Sequence, residues 1–314
     1  MLKRYRHAAG VMVFVWGGLI LGAEVAAMTA PAVRDITEDE NGGPKGVVLI
    51  MHATDKNGNP VPPSSLQAVE VTEHGEKLQI VSGPTIARPA QIAFVVDSNF
   101  HQKQVLQLEK ETLEGLLSYF KKERAHALVM NYGTDIHTSG ALTEDLDSLR
   151  AFTRSIHADT DKRNETILLF DALKEAIDAV REASGNKAIV VFAEGNGYGN
   201  SVRQQTLAFL AQKDHIACYV VLFADHSFYG TKAIRRYGWD LVDLAPKTGG
   251  KFWEAGSDAR KTEKIVAEIV RETSSQAIIE VVPSVSRAHA FHRICVTSSK
   301  RRLQAQTGYY DGSH

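Results

Sequence analysis

Asp97 closes the apolar run Ile92-Ala93-Phe94-Val95-Val96, and Asn99 and His101 follow it at alternate positions. A carboxylate at the end of a buried strand must be hydrated, paired or bound to a cation. Two more polar points come later in the chain. Arg163-Asn164-Glu165-Thr166 precedes a helical pattern that contains Asp171, and Glu194-Gly195 follows the strand-like run Ile189 to Ala193. In an open α/β sheet, ligands collect outside the carboxyl ends of the strands, and these loops fall there. A hard divalent cation such as Mg2+ takes about six oxygens in near-octahedral geometry, waters among them. On that reading Asp97 is the direct anionic ligand, Asn99 and Thr166 are neutral oxygen donors, and Glu194 accepts through a water. His101 suits the set least, because imidazole prefers softer transition metals. The plainer roles are helix capping for Asp97 and Thr166, a strand end for Glu194 and a surface position for His101.

The elements that must position these residues read as three zones. From residue 46 to 90 the signals are β. Val47-Val48-Leu49-Ile50-Met51 leads to the turn Asp55-Lys56-Asn57-Gly58-Asn59-Pro60, Ala68-Val69-Glu70-Val71-Thr72-Glu73 alternates before His74-Gly75-Glu76-Lys77, and Leu78-Gln79-Ile80-Val81 follows. From 91 to 275, strands and helices alternate. Strand patterns cover Ile92–Asp97, Ala127–Tyr132, Ala188–Phe192, Ile216–Phe223 and a short Lys251–Trp253. Helical patterns cover Gln102–Arg124, Glu144–Ile156 (opened by Thr143), Ile167–Ala183, Ser201–Gln212 and Ala259–Thr273. This order predicts an α/β fold with a doubly wound, mainly parallel sheet covered by helices on both faces. From 276 to 314, β signals return, and the two flanking segments are expected to pack together as one β module.

Apolar content of 44% and charged content of 23% are globular values. The formal charge is -1. Residues 1–27 carry Lys3, Arg4, Arg6 and Glu24 for a net +2, which leaves the rest at -3 with no basic stripe. That excludes nucleic acid as the expected partner. Residues 1–27 have a positive start, an apolar stretch from Ala8 to Ala23 and the small residues Val25-Ala26-Ala27, which reads as a cleaved signal peptide. The protein is then periplasmic or extracellular, and touches a membrane only if that segment stays uncleaved. Residues 28–45 read as an acidic, turn-rich linker. Cys218 and Cys295 lie in apolar strand-like runs and read as buried free thiols, with a disulfide between them as the alternative in an exported protein.

Nucleotide binding is one rival reading. Gly195-Asn196-Gly197-Tyr198-Gly199 follows a strand and precedes a helix, and Asp225 ends the next strand. The spacing is Gly-x-Gly-x-Gly, however, Asn200 stands where the last glycine belongs, and Glu194 would face the phosphates. A hydrolase has less support: there is no Gly-x-Ser-x-Gly and no His-Glu-x-x-His. His289 and His292 are three apart in a β zone, where such residues face opposite ways. His157, Asp159 and Asp161 form a polar loop.

The order of the three loops resembles that of a von Willebrand factor type A domain, whose metal-ion-dependent adhesion site uses Asp-x-Ser-x-Ser, a later Thr and a later Asp. The whole chain from about Val47 to Tyr310 is similar to the exported von Willebrand factor A-related proteins of acidobacteria. Asp55-Lys56-Asn57-Gly58-Asn59-Pro60-Val61 and Val71-Thr72-Glu73-His74-Gly75-Glu76 resemble their leading β segment, and His292-Arg293-Ile294-Cys295-Val296 through Thr307-Gly308-Tyr309-Tyr310 their tail. Asp97 and Thr166 match the metal motif. Asn99 and His101 replace its serines, Glu194 replaces its later Asp, and Glu165 stands where a glycine would. The resemblance implies a von Willebrand A-like domain over 91–275 that recognises a protein or surface and is not an enzyme. Its partner would complete the metal shell with a carboxylate. The degenerate motif equally suits a scaffold of this fold that holds no metal.

Overall fold

The structure is a computed structural model. It describes residues 46–55, 59, 61, 66, 69–85, 90–161, 166–195, 197–223, 239–283, 291–299 and 301–310. The leader and linker read from residues 1–45, together with Arg163, Asn164, Glu165, Asp225 and His289, lie outside these.

Six strands make the central sheet: β5 (Ala90–Asp97), β6 (His126–Tyr132), β7 (Ile136–Thr138), β8 (Asn186–Ala193), β9 (Ile216–Leu222) and β10 (Phe252–Glu254). Their order is β10-β9-β8-β5-β6-β7, with every pair parallel except the β6–β7 edge hairpin. This is the doubly wound, mainly parallel α/β arrangement that the alternation of elements predicts. Strand order reverses between β5 and β8, so the crevice for a ligand lies above their carboxyl ends.

The unbroken apolar strands are explained by what covers them. Ile92, Phe94 and Val96 of β5 pack into one core with Leu113 and Leu116 of α1 (Leu106–Phe120), Leu149 of α2 (Leu146–Ser155) and Ile269 of α6 (Ala259–Ser275). Ala93 and Val95 point the other way. They join Leu169 and Leu173 of α3 (Leu169–Val180), Leu207 of α4 (Gln204–Lys213) and Leu244 of α5 (Trp239–Lys247). Side chains alternate across a strand, so a helix layer on each face demands apolar residues at every position.

Helix starts differ from the sequence reading in instructive ways. Asp145, not Thr143, caps α2 by accepting from Asp147 N and Ser148 N. Thr143 is instead bridged to Ala127 through backbone pairing. Before α1 comes a separate 3-10 turn, Phe100–Gln104, capped by Asn99.

The flanking strands form two sheets. One is ordered β13-β1-β11-β4, from β13 (Arg302–Ala305), β1 (Val47–Thr54), β11 (Gln276–Val282) and β4 (Gln79–Thr85). The other is β14-β12-β2-β3, from β14 (Gly308–Tyr310), β12 (Phe291–Ser298), β2 (Val69–Glu73) and β3 (Glu76–Lys77). The first alternates strands from the two ends of the chain, Val47 pairing with Val281, and the second joins a carboxyl-end pair to an amino-end pair where Ile294 meets Glu73. This module meets the central domain at a tight turn. Gly249 has φ +82°, and a Cβ there would lie 2.6 Å from Ile50 Cβ, so only glycine fits. One cysteine expectation is corrected. Cys218 is a buried free thiol, but Cys295 is exposed, because alternation along β12 places it on the open face.

Candidate functional site

Above the β5–β8 switch point the structure brings Asp97, Asn99 and Glu194 together. Asp97 is fully buried, Asn99 is 2% exposed and Glu194 4%. Asp97 Oδ1 accepts from Asn99 N at 3.0 Å and from Asn99 Nδ2 at 2.6 Å. Its Oδ2 accepts from the Tyr132 hydroxyl at 2.9 Å and, more weakly, from Glu194 N at 3.4 Å. Asn99 Oδ1 turns the other way and accepts from His101 N at 2.7 Å. The His101 side chain is exposed and packs edge-on against Phe100.

Thr166 is half-buried on the segment leading to α3, under the glycine-rich loop: a Cβ on Gly199 would lie 3.2 Å from Thr166 Cγ2. That loop is locked to α3 by reciprocal caps. Asn200 Oδ1 accepts from Phe170 N and Asp171 N, while its Nδ2 donates to Ile167 O. The Asp171 carboxylate in turn accepts from Ser201 N, Ser201 Oγ and Val202 N. The side chain of Asn200, which stands where the last glycine of a dinucleotide loop belongs, is thus engaged within the fold.

Glu109 and Tyr132 belong to this site and were not singled out in the sequence. Glu109, on α1, is fully buried, and among the described residues no donor reaches either of its oxygens. A signal for it existed: Leu106, Glu109, Leu113, Leu116, Leu117 and Phe120 share the buried helical stripe. Burial, followed by the charge of Glu194, pushes the Asp97 carboxyl up to about 7. Burial, then the charges of Asp97 and Glu194, hold Glu109 well above the usual carboxylate range. The Tyr132 hydroxyl is raised as well, first by burial and then by Asp97. Asp97, Glu109 and Glu194 are buried near one another, and the donors that reach Asp97 are neutral, so burial and like charge raise both Asp97 and Glu109.

As folded, this donor set does not fit a hard divalent cation. Both Asp97 oxygens are engaged by donors, Asn99 shows Asp97 its amide nitrogen, and the His101 ring faces solvent. Among the described residues, no group of three or more His, Cys, Asp and Glu side chains is placed to hold a metal.

No protein-family model matches the chain, and no curated protein matches it. Among solved structures it is similar to the conserved hypothetical protein BatB of Bacteroides thetaiotaomicron, at 15% identity over 60% of this chain and 100% of that one, with a TM-score of 0.47. An aerotolerance-related membrane protein of Bacteroides fragilis gives 15% identity, 58% and 98% coverage and a TM-score of 0.46. The vWF domain of the type V pili tip protein Mfa5 of Porphyromonas gingivalis gives 11%, 59% and 96%, also at 0.46.

Proposed function

We propose that this chain is an exported recognition module, a von Willebrand A-like domain whose carboxyl-end crest meets a protein partner without catalysing a reaction. The observation that carries this reading is a contrast at the switch point. The chemistry-bearing groups Asp97, Asn99 and Tyr132 are engaged with one another inside the fold. The loop above them holds Tyr198 46% exposed. Among the described residues, only Val81, at 54%, is another large apolar side chain with marked exposure. Tyrosines presented this way are frequent anchors of protein interfaces. The leader-like residues 1–27 support export. The hydrogen bonds that already occupy the Asp97 oxygens support a form of this reading in which recognition at the crest is independent of divalent metal.

The test is affinity capture from the exported fraction with the wild-type chain and with Tyr198→Ser, each in Mg2+ and in a chelator. The expected result is a protein retained by the wild type under both conditions and lost by the variant. A chelator-sensitive capture would return the metal-dependent form of the reading. Equal capture by both chains would remove Tyr198 from the interface.

A further inference from the structure

A second opening lies beside the crest, between the ends of β5 and β6, the β6–β7 hairpin and α2. It is a cavity of about 580 Å³, within the range of small-ligand sites. Asn131 lines it and is 8% exposed. The orientation of its amide is fixed by the network behind it. Ser98 Oγ donates its only proton to Tyr132 O at 2.9 Å, so it must accept from Asn131, whose Nδ2 lies 2.9 Å away. The Asn131 carbonyl oxygen then remains, and among the described residues nothing donates to it. Asp159 also lines the cavity. Its Oδ2 accepts from Thr134 N at 3.0 Å, and its Oδ1 has no donor among the described residues. Asp135 adds a second carboxylate whose one hydrogen bond, from Thr134 Oγ1, is long at 3.5 Å.

The cavity thus gathers acceptors that lack donors. No Lys or Arg is among the described residues lining it, while Ile136, Phe152 and Ile156 supply apolar wall and His137 and His157 complete the rim. A ligand that satisfies this lining is cationic, rich in N–H donors and carried on an apolar stem. A planar guanidinium offers donors in a fork that matches carboxylate and amide oxygens. We infer that this cavity, lined by Asn131, Asp135 and Asp159, is a binding site for a guanidinium group. It goes beyond the recognition reading and does not depend on Tyr198.

The test is calorimetric titration of the full chain at about pH 8 with two probes, agmatine and an arginine blocked at both ends as the N-acetyl methylamide. The citrulline counterpart of the blocked arginine is the uncharged control. Expected is saturable binding at sub-millimolar concentration, at least tenfold weaker for citrulline. Asp159→Asn, which keeps an acceptor for Thr134 N, is expected to weaken binding about tenfold. Asp135→Asn, at an exposed position that leaves the fold intact, is expected to weaken it severalfold. Binding of the blocked arginine identifies the source as a partner's side chain, whereas binding of agmatine alone identifies a small free cation, and either supports the site. Citrulline binding as well as arginine, affinity unchanged in both Asp variants, or no saturable binding of either probe at millimolar concentration would overturn it.

Discussion

Two buried acid clusters in this molecule are built on opposite plans. In the β module, Glu73 is 1% exposed and both its oxygens are met: His292 Nδ1 lies 2.6 Å from Oε1, and the Tyr309 hydroxyl donates to Oε2 at 3.1 Å. The His292 and Tyr309 rings stack with centroids 4.9 Å apart. At the crest, Asp97, Glu109 and Glu194 are buried together, and the groups that donate to Asp97 are neutral. The first cluster joins a strand from each end of the chain through an acid matched by a base. The second holds Asp97 and Glu109 above the usual carboxylate range, because burial and neighbouring like charges act on both. A buried carboxyl group is therefore a clasp in one place and a stability cost in the other, and the partner decides which.

The sharpest way to break the comparison is at the clasp. His292→Ala removes the partner of Glu73 Oε1 and leaves that carboxyl buried, and a loss of about 3–5 kcal/mol is expected. Denaturant unfolding measures it, and a loss below about 1 kcal/mol would mean that the pair holds nothing together.

The crest should respond to pH instead. Asp97 is raised from 3.8 in the unfolded chain to about 7 in the fold. Its contribution is fully present below about pH 4, is lost as pH rises to 7 and changes no further above that. The ceiling is about 4 kcal/mol for a group titrating alone, at 1.36 kcal/mol per unit. Unfolding curves collected from pH 4 to 8 check this, and stability rising over that window would contradict it. Glu109→Met removes an acid with unmatched oxygens and keeps an unbranched chain of similar length. A gain of about 1–3 kcal/mol is expected at pH 8, shrinking below pH 4. A destabilised variant at pH 8 would show that Glu109 has a partner that matters. The smallest effect belongs to the exposed Lys77–Glu70 pair, at 2.7 Å with side-chain exposures of 72% and 42%. Lys77→Ala should change the unfolding free energy by less than about 0.5 kcal/mol.

Much of the fold was legible because its strands are apolar on both faces, which only a helix-covered parallel sheet rewards. Asp97 was legible for the same reason, as a charge at the end of such a run. Element ends were less so. The helix read from Gln102 starts as a 3-10 turn because Asn99 caps it, and Ile167, read as helix, is paired with Tyr198. Cys295 looked buried from its apolar neighbours, yet strand alternation exposes it.

The alternation of elements and the acid at the end of the central strand are written in the chain itself, since periodicity and polarity are local properties. It also carried Glu109 at an inward position of its helix, unread. Which acid meets a base is set by folding, because Glu73 and His292 stand 219 residues apart and a pairing across that span is a fact of topology. The same holds for the orientation of Asn131. Its amide could face either way until Ser98, 33 residues earlier, gave its one proton to Tyr132 and left only an acceptor to offer.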